Sequence, residues 1–218
     1  MALACVSTLA RGVPNEIKVF TDELAAYRNQ TLETHVNKAR QGPLRLMPEW
    51  SYGIAPYWEL SLQLPFAFNR ERAAAEGYRA EVQYIAPHAA ERGLYWGVNV
   101  ELAREARLDE RHFWNAEVIP IVGWRHERWH LVANPGFERP VSGSRERASA
   151  TPAAKLAYGA PGTNAFGVEL YRDAERERTI YFAWDGKLGK SDINVGLGRG
   201  IGTALDRWVL KMIYEIGF

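Results

Sequence analysis

Short runs in which apolar and polar side chains alternate, separated by turn-rich breaks, recur along most of the chain. The clearest covers residues 57–69, YWELSLQLPFAFN. Trp58, Leu60, Leu62, Leu64, Phe66 and Phe68 share one parity, and Glu59, Ser61, Gln63, Pro65, Ala67 and Asn69 the other. Successive strand side chains point to opposite faces, so this period of two predicts a strand with one apolar and one small or polar face. The same pattern predicts strands over 32–38, 45–54, 78–86, 94–102, 113–124, 129–137, 150–158, 165–171, 179–186, 192–198 and 207–218. Helical periodicity is scarce, and about twelve strands make an all-β chain.

The breaks alternate in length. Ala55-Pro56, His126-Glu127 and Ala160-Pro161-Gly162-Thr163 are tight and follow even-numbered strands, whereas 70–77, 104–111, 141–149 and 173–178 are longer, charged and follow odd ones. An even strand count with short turns at one end and long loops at the other predicts an antiparallel up-and-down barrel that crosses a membrane. The break over 87–93 is too long for the tight-turn end and has no explanation in the pattern.

Tryptophan placement is the sharpest discriminator. Trp50, Trp58, Trp96, Trp114, Trp124, Trp129, Trp184 and Trp208 all lie on the apolar parity of their strands. A closed sheet of about twelve strands is too wide for side chains to fill with a simple apolar core, so this parity is expected to face lipid. Trp58, Trp124 and Trp129, beside tight turns, would form one interfacial belt, and Trp114 and Trp208 the other, with Phe218 at the chain's end. The competing reading is a soluble periplasmic barrel whose aromatics line a core and hold an apolar ligand.

Composition narrows the classes. The chain has 218 residues with no linker-like stretch, and its 27 basic and 26 acidic residues are interspersed, so nothing resembles a nucleic-acid footprint. No apolar run reaches the roughly 18–20 residues of a membrane-spanning helix. The single Cys5 excludes an intramolecular disulfide and a multi-thiolate metal site. Residues 1–12, MALACVSTLARG, look like the remnant of a secretory signal, with a lipid-acceptor role for Cys5 as the weaker alternative. Residues 13–31 are then an N-terminal periplasmic segment, either plug or tail, and 32–218 the barrel.

The polar parity carries Glu33, Glu49, Glu59, Glu81, Glu101, Glu117, Glu169, Asp185, Asp192 and Glu215 against Arg45, Arg79, Lys155, Lys187 and Lys211. Ten acids to five bases predict a lumen attractive to cations, unless cross-strand pairing fills it and leaves a structural barrel without a pore. His35 and His130 share this parity but fall on strands one and seven of twelve, on opposite walls, so they cannot share a metal or proton relay. His88, His112 and His126 lie in breaks, and no Ser/His/Asp or Ser/His/Asn grouping recurs on adjacent strands, so no enzyme, cofactor or metal site is expected. Gly196, Gly198, Gly200 and Gly202 lack the Lys-Ser/Thr of a phosphate loop and read as relief for strand curvature.

The last strand, RWVLKMIYEIGF, places Trp208, Leu210, Met212, Tyr214, Ile216 and Phe218 on one parity. It resembles the terminal signature recognised by the outer-membrane barrel assembly machinery. PEWSYGIAPYWELSLQLPFAF and WDGKLGKSDINVGLGRGIG resemble hairpins of outer-membrane proteins of the phenol-degradation meta-pathway type, a likeness spanning residues 14–218. That resemblance implies a barrel in the outer membrane of a Gram-negative bacterium. The implied barrel is of a transporter-like type surrounded by lipid, and together with the acidic polar parity the expectation is a narrow passive channel for small solutes, cationic or aromatic.

Overall fold

The structure is a computed structural model. It describes residues 17–40, 42–69, 73–89, 92–105, 113–142, 148–159, 164–173, 176–202 and 208–218. The expected leader with Cys5, the turn at 160–163 and His112 lie outside these residues.

The strands are β1 (Gln30–Ala39), β2 (Leu44–Ala55), β3 (Trp58–Gln63), β4 (Phe66–Phe68), β5 (Ala73–Ala75), β6 (Gly77–Ile85), β7 (Gly93–Glu105), β8 (Phe113–His126), β9 (Trp129–Ser142), β10 (Ser149–Gly159), β11 (Ala165–Arg172), β12 (Arg178–Leu188), β13 (Ser191–Ile201) and β14 (Val209–Gly217). They form one antiparallel sheet in which β1 pairs with both β2 and β14, closing a barrel. The ring holds twelve strands, because β4 continues β3 and β5 continues β6.

Pro65 causes the first of these interruptions, since it brings no N–H to the ladder. The neighbouring groups remain satisfied: Leu64 N donates to Pro48 O and Glu76 N donates to Pro65 O. Residues 73–75, expected in a loop, are strand, and β7, β9 and β13 extend past their expected ends to Glu105, Ser142 and Ile201. The barrel is therefore taller at its loop end than the alternation alone indicated. Charged residues near these strand ends had masked the continuing ladder.

Burial runs opposite to that of a soluble barrel. In β1 the buried positions are Thr31, Glu33, His35, Asn37 and Ala39, while Leu32 on the other face is 41% exposed. Elsewhere on the outer surface lie Trp96 at 58%, Phe182 at 62% and Leu197 at 53% exposure. A belt of large apolar side chains around a polar interior is the arrangement that hydrocarbon surroundings require. The rings cluster toward the tight-turn end, with Trp58 on Tyr84 and Trp129 on Tyr158 at centroid distances of 4.7 and 4.8 Å. At the loop end Tyr78 meets Trp114 edge to face at 5.9 Å. Trp50, Trp114 and Trp184 are half-buried by their neighbours, whereas Trp124, Trp208 and Phe218 are exposed.

Residues 17–25 lie inside the barrel, and 26–29 make an exposed turn at its tight-turn rim. The segment enters at the tight-turn end, where Tyr27 bridges Gly53 in parallel and Arg28 N donates to Gly53 O. Only glycine allows this approach, since a Cβ on residue 53 would sit 2.3 Å from Ala26 O. From there the chain climbs the lumen toward Ile17, which packs with Ala39 and Val209 at the loop end.

Candidate functional site

The site is the lumen: the inner wall together with the segment that occupies it. On the β1–β7 side the inward carboxylates form a hydrogen-bonded network. The Gln63 amide donates to both Glu49 and Glu81, Asn99 Nδ2 donates to Glu81 at 3.0 Å, and Arg79 pairs with Glu101 at 3.3 Å. Ser51 and Ser61 share a 2.8 Å bond between Glu49 and Glu59. Farther round, Thr151 donates to Glu117 and Asn115 to Glu138, and at the loop end Arg45 pairs with Glu76 at 3.0 Å. Much of this wall is therefore filled by its own side chains.

The N-terminal segment is held by the wall residue by residue. Asn134 clamps Phe20, accepting from its N–H at 2.9 Å and donating to its carbonyl at 3.0 Å. The Gln83 amide donates to the carbonyls of Thr21 and Glu23, and Ala25 N donates to Glu59. Val19 and Phe20 fill an apolar patch of Ile85, Tyr95, Ile119, Ile121 and Val132 on the inner wall. Asp22 receives two bonds from Arg125 and one from His88 at 3.0 Å. Burial alone would raise the Asp22 carboxyl, but the bonds and charge of Arg125, with His88, outweigh it and hold the group below its ordinary value. The long 87–93 connection thus has a role, since it brings His88 onto the segment.

Lys18 completes this set. Its Nζ lies 3.0 Å from Glu33 and 3.7 Å from Glu49, and His35 Nε2 is within 3.0 and 3.2 Å of the same two carboxylates. Glu33, His35 and Glu49 place their ligand atoms within 4.8 Å of one another, close enough to hold a metal, but the Lys18 ammonium already supplies a positive charge there.

On the β9–β14 side the segment leaves a cavity of about 570 Å3. Lys155 pairs with Asp185 at 2.8 Å and lies 3.5 Å from Glu169, Lys211 pairs with Glu169, and Tyr171 donates to Glu169 at 2.7 Å. His130 lines this cavity bonded to Tyr95 OH at 2.7 Å, and Glu215 lines it from β14. Lys187 and Asp192 form an exposed 2.7 Å pair at its mouth, beside the β12–β13 turn, where they sit more openly than the other inward residues. The cavity lining carries nine Asp and Glu against six Lys and Arg, an acidic surplus.

No protein-family model matches this sequence, and no curated protein does. Solved structures do. An outer-membrane channel from Pseudomonas putida F1 superposes with a TM-score of 0.70 at 11% identity, over 93% of this chain and 100% of that one. The fold is that of an outer-membrane β-barrel. The KdgM porin, solved with oligogalacturonate, follows at a TM-score of 0.61 and 12% identity, over 86% and 99% of the two chains. Outer membrane phospholipase A of Escherichia coli gives 0.51 at 10%, over 93% and 95%. At these identities the likeness is one of architecture, so the chemistry must come from this chain's own lumen.

The inward acids and bases read from parity are gathered in that lumen, in separate networks on its two walls. Parity did not reveal Lys18, Asp22, Phe20, Gln83, Arg125 and Asn134 as parts of the site. The surplus of inward carboxylates was the available signal, because buried charge of one sign requires a counter-charge from elsewhere in the chain.

Proposed function

We propose that the chain is a passive channel for small solutes in the outer membrane of a Gram-negative bacterium, preferring cations. The observation that carries this is the acidic, solvent-sized cavity inside a barrel whose outer surface is apolar. Such a lumen concentrates cations and repels small anions. The tight-turn end, with both ends of the ring's strands, then faces the periplasm and the long loops face outward. The filled wall and the internal segment make the path narrow, which sets the size of solute that passes.

Transport without chemistry is the reading that these residues favour over catalysis. Among the described residues His35, His88 and His130 are bound to carboxylates or to Tyr95, and none pairs with a serine. The hairpin sequences support grouping with the meta-pathway type of barrel and an aromatic solute as the second candidate. The exposed Phe218, with its backbone bonded to Gln30 across the closing seam, supports recognition of β14 by the assembly machinery. Residues 1–12 remain a proposed leader.

Reversal potentials of refolded protein in a planar bilayer under a potassium chloride gradient test the proposal. A cation-selective sign is expected. Anion selectivity, or no conductance from folded barrels, would refute it.

A further inference from the structure

An apolar cluster packs against Lys211, one of the residues at which the cavity lining stops. From its mouth beside Lys187 and Asp192 the cavity reaches Lys211 and Glu169. Toward the loop end of Lys211, Ile17, Ala39, Tyr181 and Val209 pack together, none more than 3% exposed, with Tyr171 against them. Tyr171 and Tyr181 meet edge to face at 5.4 Å. The glycine run on β13 makes room for this. A Cβ on residue 198 would lie 2.3 Å from Tyr181 Cε1, and one on residue 196 would lie 2.8 Å from Lys211 Cε. Inward side chains are missing at positions 196 and 198 of β13 because the Tyr181 ring and the Lys211 stem occupy their space.

We propose that this cluster is the gate of the lumen, with Tyr181 as its fixed half and Ile17 as its movable half. An apolar constriction offers a permeating ion no polar partner and closes by expelling water. The tethers differ in strength along the segment. Between Lys18 and Ala25 it is held by ion pairs and hydrogen bonds to Glu33, Asn134, Gln83, Arg125 and Glu59. Among the described residues, Ile17 is held by apolar packing and a long 3.4 Å contact from Lys211 Nζ to its carbonyl. Displacing Ile17 opens the apolar cluster above Lys211 while Lys18 to Ala25 stay docked. The permeability barrier is therefore set by side-chain bulk at positions 17 and 181, and the acidic lining below it sets ion preference.

This inference rests on the channel reading, and single-channel conductance of full-length refolded protein separates the two. Ile17→Gly and Tyr181→Ala are each expected to raise unit conductance several-fold, and Ile17→Trp to lower it, with cation preference retained. Ile17→Gly lies outside the β-ladder, so it carries the test even where Tyr181→Ala fails to fold. A conducting wild type with Ile17→Gly unchanged would overturn the gate and leave the channel standing. Folded wild type and Ile17→Gly barrels that are both silent would overturn the channel, and the gate with it.

Discussion

Replacing Lys18 with methionine keeps most of the length of the side chain and removes its charge, leaving the neighbouring carboxylates of Glu33 and Glu49, paired across β1 and β2, without it. The ammonium lies 3.0 and 3.7 Å from these carboxylates, and the Lys18 side chain is 20% exposed. Breaking a fully buried ion pair costs about 3–5 kcal/mol. Water reaches Lys18, and His35 stays within 3.0 and 3.2 Å of both acids. The loss therefore falls to about 2–3 kcal/mol, below the fully buried range. At 1.36 kcal/mol per power of ten, docking of the segment weakens roughly a hundredfold. Amide hydrogen exchange at Phe20 reads this opening directly, because its N–H is bonded to Asn134. Exchange there should accelerate about a hundredfold in Lys18→Met, with strand amides unchanged, while adding Glu33→Gln should restore most of the protection. Wild-type exchange at Phe20 in Lys18→Met would refute the reasoning. So would acceleration shared equally by the strand amides, which would mean that the whole barrel, not the docked segment, had loosened.

Three further outcomes follow from the same geometry. Asn134→Leu removes both partners of the Phe20 peptide groups, at about 1–3 kcal/mol per orphaned group, so limited proteolysis of the segment should quicken while the barrel stays heat-modifiable on gels. The Asp22 carboxyl lies below its ordinary value in the folded state, so its contribution to docking is complete above the unfolded pKa of about 4 and is lost as pH falls through the lower folded value. Phe20 exchange, corrected for its intrinsic pH dependence, should therefore show no loosening from pH 8 to 5 and should loosen in stronger acid, whereas loosening already between pH 8 and 5 would contradict this role of Asp22. Val100, 46% exposed on the outer face midway along β7, should tolerate leucine, but arginine there should cost about 2–4 kcal/mol and impair insertion into vesicles.

The barrel was legible because its signal is local. Period-two alternation reports which face a residue takes, and the placement of eight tryptophans on one parity reports which face is apolar. The strand ends were less legible, as at Glu105 and Ser142, because charged residues above a membrane belt can still be strand. The internal segment was the least legible part. Its contacts, such as Phe20 with Asn134 across 114 positions, are set by three-dimensional closure of the ring and leave no periodic trace. Inward Ile119 and Ile121 were equally cryptic, since an apolar patch on a polar wall becomes intelligible only when Val19 and Phe20 are seen to cover it. The glycine run, read as relief for curvature, also makes room for Tyr181 and Lys211.

Tryptophan fluorescence in vesicles of acyl-brominated lipid, compared with iodide quenching in water, tests the orientation of the barrel most directly. With indoles on the outer face, brominated chains should extinguish most of the emission and iodide should remove little. Emission indifferent to bromine would mean that the aromatic faces meet protein or water, contradicting a polar lumen wrapped in lipid.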